Sequence, residues 1–285
     1  MFQIIKKEIL APSIKLFNVS APEIAAKAQP GQFIILRIDE KGERIPLTIA
    51  DFDREKGLLT LIFQEVGRST KELGELNEGD SILDLVGPLG MPSDIEKFGR
   101  VICVGGGVGV APVYPITRAM KQAGNEVISI IGARNGESLI LEQEMQKVSD
   151  QLYVVTDDGS AGMKGFVTTK LQEILAEEKK PDLIVAIGPL VMMQAVSELT
   201  RPYGIKTVVS LNSIMVDGTG MCGACRVPVG SKTQFACVDG PEFDGHQVDW
   251  AVAAMRARMF TDEEKIAMDR YHHHAGGECQ CQKKK

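Results

Sequence analysis

The chain has 285 residues, 44% of them hydrophobic and 25% charged, with a formal net charge of −6, a globular composition with room for about two domains at ~100–200 residues each. The acidic balance excludes a basic nucleic-acid footprint, and no apolar run is long enough to span a membrane. The start, MFQIIKKEIL, has no signal-peptide pattern, so the six cysteines are expected in the cytoplasm, where they serve more often as ligands or redox groups than as disulfides.

Residues 1–97 read as short strands and turns. GQFIILRI and LLTLIFQEV are strand-like, and turns recur at Pro30-Gly31, Lys41-Gly42 and Gly87-Pro88-Leu89-Gly90, a pattern that predicts a small antiparallel barrel. From residue 98 the pattern changes. RVICVGGG is a buried strand entering a glycine loop, PVYPITRAMKQAG a helix, EVISIIGAR a strand, ESLILEQEMQKV a helix and QLYVVTDD a strand. VTTKLQEILAEEKK, DLIVAIG, LVMMQAVSELTRPYG and KTVVSLN continue the alternation, which predicts a doubly wound α/β domain on a parallel sheet over 98–210. Residues 211–250 carry cysteines and few regular elements. In 251–285 a helix is expected over about 262–271, opened by a capping box between Thr261 and Glu264, before a loose tail containing Cys279 and Cys281.

Three loops of the α/β part suit a dinucleotide. Gly105, Gly106, Gly107 and Gly109 stand between a strand and a helix, where a bare backbone can approach a pyrophosphate and the helix N-terminus favours its charge. Pro112 fits the first helical turn. The spacing departs from G-x-G-x-x-G, whose last position is Val110 here, so a variant of the ordinary dinucleotide fold is expected. A tight turn that binds nothing is the plainer alternative. Gly188-Pro189 opens another helix at a strand's carboxyl end. Asp157 and Asp158 follow a third strand, where carboxylates can accept ribose hydroxyls or simply face water.

PGQF (30–33), RIPLT (44–48), VGRST (66–70), GPLG (87–90), GGGVGVAP (105–112), GARN (132–135) and GPLVMM (188–193) occur in this order. Together they make the chain resemble the ferredoxin–NADP reductase superfamily over roughly residues 1–245. The resemblance implies a barrel that binds FAD, joined to a domain that binds NAD(H). Arg44, Pro46, Leu47 and Thr48 would lie at the flavin, with Thr48 near its N5 as the catalytic position. Gly67, Ser69 and Thr70 would hold its phosphates. Arg44 precedes Thr48 by four residues rather than the family's three, and Pro46-Leu47 replace an aromatic. Arg134 could meet a 2′-phosphate that Asp157 and Asp158 would repel.

Within the superfamily the chain is similar to subunits that append a [2Fe–2S] cluster. These are the electron-transfer subunits of dihydroorotate dehydrogenase and the small subunits of NADH-dependent reduced ferredoxin:NADP⁺ oxidoreductase. Plant-type clusters use C-x4-C-x2-C…C. Cys222, Cys225 and Cys237 match its last three positions, and Asp217 occupies the first. A carboxylate is an anionic donor able to bind ferric iron, so Asp217 is expected as the fourth ligand, a substitution that resembles the second family. A redox C-x-x-C pair, a zinc site completed by Cys279 and Cys281, and incidental thiols are the competing readings. The implied function is electron transfer from NAD(H) through FAD and the cluster to a larger partner in a heterodimer. By resemblance, the partner carries FAD and [4Fe–4S] clusters and couples ferredoxin and NADP(H); any bifurcation resides mainly there. A dihydroorotate dehydrogenase subunit and a zinc-holding regulatory module are the alternatives.

Overall fold

The computed structural model describes residues 1–275. Its first part contains β1 (Phe2–Ala11), β2 (Ile14–Ser20), α1 (Pro22–Ala25), β3 (Phe33–Arg37), β4 (Ile45–Asp53), β5 (Leu58–Gln64), α2 (Arg68–Glu75), β6 (Ser81–Ile82) and β7 (Asp84–Leu89). The strands form an antiparallel sheet in the order β6-β1-β2-β5-β4-β3-β7. Its two end strands are consecutive in the chain, and Leu83 N donates to Ile38 O between them, so the sheet curls into a nearly closed barrel. Phe17, Ile34, Leu36, Ile49, Leu59, Leu61 and Phe63 fill it, as inward alternation requires. β4 pairs with β3 over Ile45–Thr48 and with β5 over Ile49–Asp53, so Thr48 stands where the strand passes from one neighbour to the other.

The second part contains β8 (Arg100–Gly106), α3 (Val110–Gln122), β9 (Glu126–Ala133), α4 (Glu142–Val148), β10 (Gln151–Thr156), β11 (Met163–Lys164), α5 (Val167–Ala176), β12 (Leu183–Ile187), α6 (Leu190–Thr200) and β13 (Lys206–Ser210). β8 and β12 are buried along their whole length, as central parallel strands are when helices cover both faces. The third part adds β14 (Arg226–Val229), β15 (Lys232–Phe235), β16 (Glu242–Asp244), α7 (Trp250–Ala257) and α8 (Thr261–Ala275). The sheet order is β11-β10-β9-β8-β12-β13-β16. β16 pairs antiparallel with β13, so the cysteine-bearing segment completes the edge of the α/β sheet.

Several elements differ from the pattern reading. The helix expected over 137–148 begins only at Glu142, because Ile140 is drawn into the core beside α3 and Leu141 turns left-handed (φ 55°). α5 stops at Ala176, where Lys180 Nζ folds back onto the carbonyls of Leu175 and Glu177 and satisfies the helix end. The capping box at Thr261 does not form: its hydroxyl donates to Arg258 O, and Glu264 N donates to Phe260 O. α8 runs beyond 271, and α7 was not expected at all. Cys279 and Cys281 lie outside the described residues, as do the side chains of His273 and His274.

Candidate functional site

The order of the second sheet runs outward from β8 through β9 in one direction and through β12 in the other. The crevice beyond their carboxyl ends is therefore the switch point where ligands bind in such sheets. Both expected loops meet there. A Cβ on Gly188 would lie 3.1 Å from Gly106 Cα, and one on Gly109 would lie 2.4 Å from Ile187 O. Gly109 and Gly106 are thus packing glycines that let the loops touch. Gly107 is different: its φ is +57° and nothing lies within 4 Å of an added Cβ, so its backbone faces open space. Pro112 occupies the first turn of α3.

At the far edge of the crevice Arg134, Asp157 and Asp158 are exposed. The turns that carry them are stapled together: Asp158 N donates to Arg134 O at 3.3 Å, and Gly136 N to Ser160 Oγ at 2.8 Å. Ser160 in turn donates to Asp158 Oδ1 through its hydroxyl and its N–H, which lowers the Asp158 pKa below the ordinary carboxylate value.

On the barrel, Thr48 lies opposite Phe33 and Pro46 opposite Ile35. Leu47 packs against the barrel core and Arg44 is exposed before β4. At the start of α2, Thr70 Oγ1 accepts from Val66 N and Gly67 N, so Thr70 caps the helix. Space beside Gly67 is open. Ser69 is buried and its hydroxyl donates to Glu43, a partner that pattern reading missed because Glu43 belongs to another element. A flavin phosphate there would compete with that carboxylate for Ser69.

The cysteine loop lies against the barrel. A Cβ on Gly218 would meet Leu89 Cδ1 at 2.6 Å and Ile35 Cγ1 at 3.0 Å, so the segment after Asp217 rests on β7 and β3, one strand from Pro46 and Thr48. Gly218, Gly220 and Gly223 have φ of +75°, +81° and +65°, conformations open to glycine but strained for other residues. They let the chain wind tightly around its own thiols. Cys225 and Cys237 are buried with sulfurs 3.2 Å apart, well beyond disulfide length. Burial and the adjoining Cys225 push the Cys237 thiol pKa up. The Cys237 thiol is poorly suited to act as a free thiolate, and a bound cation would favour its ionised form. Asp217 Oδ1 and Oδ2 accept from the N–H groups of Thr219 and Cys222 at 3.0 and 2.8 Å, which lowers its pKa and keeps an anionic donor beside Cys222. Cys222 itself is exposed.

Among the described residues no three His, Cys, Asp or Glu side chains converge so as to hold a single metal ion. A two-iron cluster takes two ligands on each iron and does not require four donors at one point. An oxygen donor and three thiols around a left-handed glycine loop fit that group.

Two family models match the chain: an oxidoreductase NAD-binding domain at residues 103–198, and the iron–sulfur cluster binding domain of dihydroorotate dehydrogenase B at residues 212–249. A Thermotoga maritima protein described as a dihydroorotate dehydrogenase B (NAD(+)) electron transfer subunit homolog is 49% identical over 274 residues, covering 96% of each chain. A probable electron transfer subunit of the same enzyme from Methanocaldococcus jannaschii is 37% identical, covering 85% of this chain and 89% of the other. A structure solved in work on flavin-based electron bifurcation by an NADH-dependent reduced ferredoxin–NADP oxidoreductase superposes with a TM-score of 0.90 at 48% identity, covering 95% of this chain and 98% of that one. An Amycolatopsis cytochrome P450 reductase shares the fold, with a TM-score of 0.61 at 21% identity over 70% of this chain and 65% of that one.

Proposed function

The chain belongs to the family of dihydroorotate dehydrogenase B electron-transfer subunits and their homologues, and from that premise we propose that it carries electrons between NAD(H), FAD and a [2Fe–2S] cluster and passes them to a larger partner subunit. The observation that carries this reading is the contact of Gly218 with Ile35 and Leu89. It sets the loop of Asp217, Cys222, Cys225 and Cys237 one strand away from Thr48, the position expected beside the flavin N5.

The flavin, when bound, supplies the ability to take a hydride and release electrons singly to a one-electron centre. The protein's own residues orient and exclude water. Gly107 offers its backbone to the dinucleotide pyrophosphate at the start of α3. Gly106, Gly109 and Gly188-Pro189 bring the two loops close enough to form the crevice. By the family resemblance Thr48 would lie beside the flavin N5, and the open space at Gly67 leaves room for the flavin phosphates. Asp217, Cys222, Cys225 and Cys237 are the ligands in this reading. Met221, 88% exposed, and Cys222 form the outer lip of the loop, where electrons would leave for the partner. That partner would carry its own FAD and [4Fe–4S] centres and couple ferredoxin and NADP(H). The carboxylate at 217 favours this branch over dihydroorotate oxidation. At the far edge of the crevice Arg134 could meet a 2′-phosphate that Asp157 and Asp158 would repel, and the choice of NADH as donor rests on the family resemblance.

Anaerobic purification with whatever subunit accompanies the chain tests the reading. The expected preparation is coloured, contains FAD, iron and acid-labile sulfide, is bleached by NADH and gives a [2Fe–2S] EPR signal when reduced. A colourless protein containing zinc and no flavin would overturn it, and co-purification with a dihydroorotate-oxidising subunit would favour the alternative.

A further inference from the structure

The carbonyls between Cys222 and Cys225 are gripped by two guanidinium groups. Arg226 Nη1 donates to Gly223 O at 3.1 Å, and Arg256 Nη2 donates to Ala224 O at 2.7 Å. Arg226 follows the cysteine directly. Arg256 comes from α7, which is pinned in place by separate contacts. Asp249 Oδ1 accepts from Val252 N and caps its start, and buried Trp250 donates to Gly245 O at 3.1 Å. The helix packs on β14 and along a groove that both arginines line.

Neither guanidinium forms an ion pair with a carboxylate among the described residues; their named acceptors are these backbone oxygens. Burial first, and the neighbouring Arg226 second, disfavour the charged form of Arg256. Two like charges have been brought together beside one short loop, and neither is paired with a carboxylate among the described residues. An anion within the loop would supply the missing charge. A [2Fe–2S] centre held by four monoanionic ligands is a dianion when oxidised and a trianion when reduced. Nearby cations therefore stabilise the reduced state more than the oxidised one and raise the reduction potential, since cluster potentials respond to local charge and hydrogen bonding.

We propose that Arg256, with Arg226, forms a cationic clamp on the Cys222–Cys225 loop that raises the reduction potential of the cluster. The proposal rests on the cluster reading above. It gives α7 a role in electron transfer: Arg256 is a positioning and charge-supplying residue that acts through the ligand loop. Because the pair bears on the cluster's charge rather than on the nicotinamide crevice, its removal leaves flavin reduction by NADH intact and slows only the onward one-electron step.

The test is an EPR-monitored redox titration of the full chain, purified anaerobically with its native partner, with iron and labile sulfide assayed in the same samples. Arg256→Gln is expected to keep its iron and sulfide and to make cluster reduction about tenfold less favourable, a downward shift of ~59 mV for one electron. Arg256→Lys, which keeps the charge, is expected to recover most of that shift. A merely structural role for Arg256 would move stability or cluster content without moving the midpoint. If Arg256→Gln fails to hold its cluster, the exposed Arg226→Gln decides the matter by a downward shift of the same sign. An unchanged midpoint in a cluster-loaded Arg256→Gln or, in its place, Arg226→Gln overturns the clamp while leaving the cluster reading standing. Wild-type protein lacking iron and sulfide overturns the cluster reading, and the clamp with it.

Discussion

Arg118 on α3 and Asp51 on β4 form a bidentate ion pair across the junction of the barrel and the α/β sheet, with Nη1–Oδ2 at 2.9 Å and Nη2–Oδ1 at 2.5 Å. The guanidinium also lies over the Tyr114 ring at 5.2 Å. Around the pair, Ile14, Ala50 and Ile62 of the barrel pack in one apolar cluster with Val110, Ala111 and Val113 of α3. Hydrophobic contact brings the two parts together without fixing an angle. The fork-to-carboxylate pair adds direction, tying the helix that follows the glycine loop to the strand that carries Thr48.

Breaking that pair should loosen the junction more than it unfolds either part. The side chains are 28% and 29% exposed, so a coupling of about 1 kcal/mol is expected between Asp51→Ala and Arg118→Ala in a double-mutant cycle on thermal stability. Either single variant should retain FAD while NADH bleaches it several-fold more slowly, measured by anaerobic rapid mixing. Wild-type bleaching in both singles would show that the pair does not set the angle.

Two glycines of one loop should fail in different ways. Gly109→Ala drives a Cβ into the Ile187 carbonyl and Gly188 Cα, backbone that cannot step aside, so it should lower the melting temperature sharply. Gly107→Ala meets no atom but holds a left-handed φ, a cost of about 1 kcal/mol. It should remain folded yet bind NADH at least tenfold more weakly. Melting curves and NADH titrations on both variants separate the packing role from the binding role.

Asp217→Ala should lose the cluster, or make it labile, with FAD still bound. Asp217→Cys should restore a four-thiolate set and retain iron with altered EPR g-values, because an oxygen donor on one iron has become sulfur. Iron and sulfide unchanged in the alanine variant would remove Asp217 from the ligand set.

Glu242 is expected to make stability fall with rising pH. Glu242 is half-buried where the barrel, the α/β sheet and the cysteine segment meet, and its carboxyl accepts from Ser93 Oγ at 2.6 Å. Burial, reinforced by the nearby charge of Asp94, raises its pKa from 4.5 to about 7. Between those values the folded state holds a proton that the unfolded chain has released. Stability therefore declines from about pH 4.5 to about pH 7 and then levels off, by roughly 3 kcal/mol at most. Melting curves of wild type and Glu242→Gln across that window should diverge as pH rises, with the variant the flatter. Parallel curves would mean that Glu242 titrates normally.

The amino-acid sequence by itself determined the two-part architecture, since a two-residue period, a helical period and glycine punctuation are local consequences of backbone geometry. It also determined the chemical candidates: Asp217 with three cysteines at a cluster-like spacing, and a glycine loop after a buried strand. Only the tertiary structure decided what depends on residues far apart in the chain. Glu43 engages Ser69, Arg118 reaches Asp51, β16 returns to complete the second sheet, and α7 delivers Arg256 to the carbonyl beside Cys225. None of these pairs has a sequence period or a fixed spacing to announce it. Each exists because burying the apolar faces of separate elements brings their polar edges within hydrogen-bond reach, which no local pattern encodes.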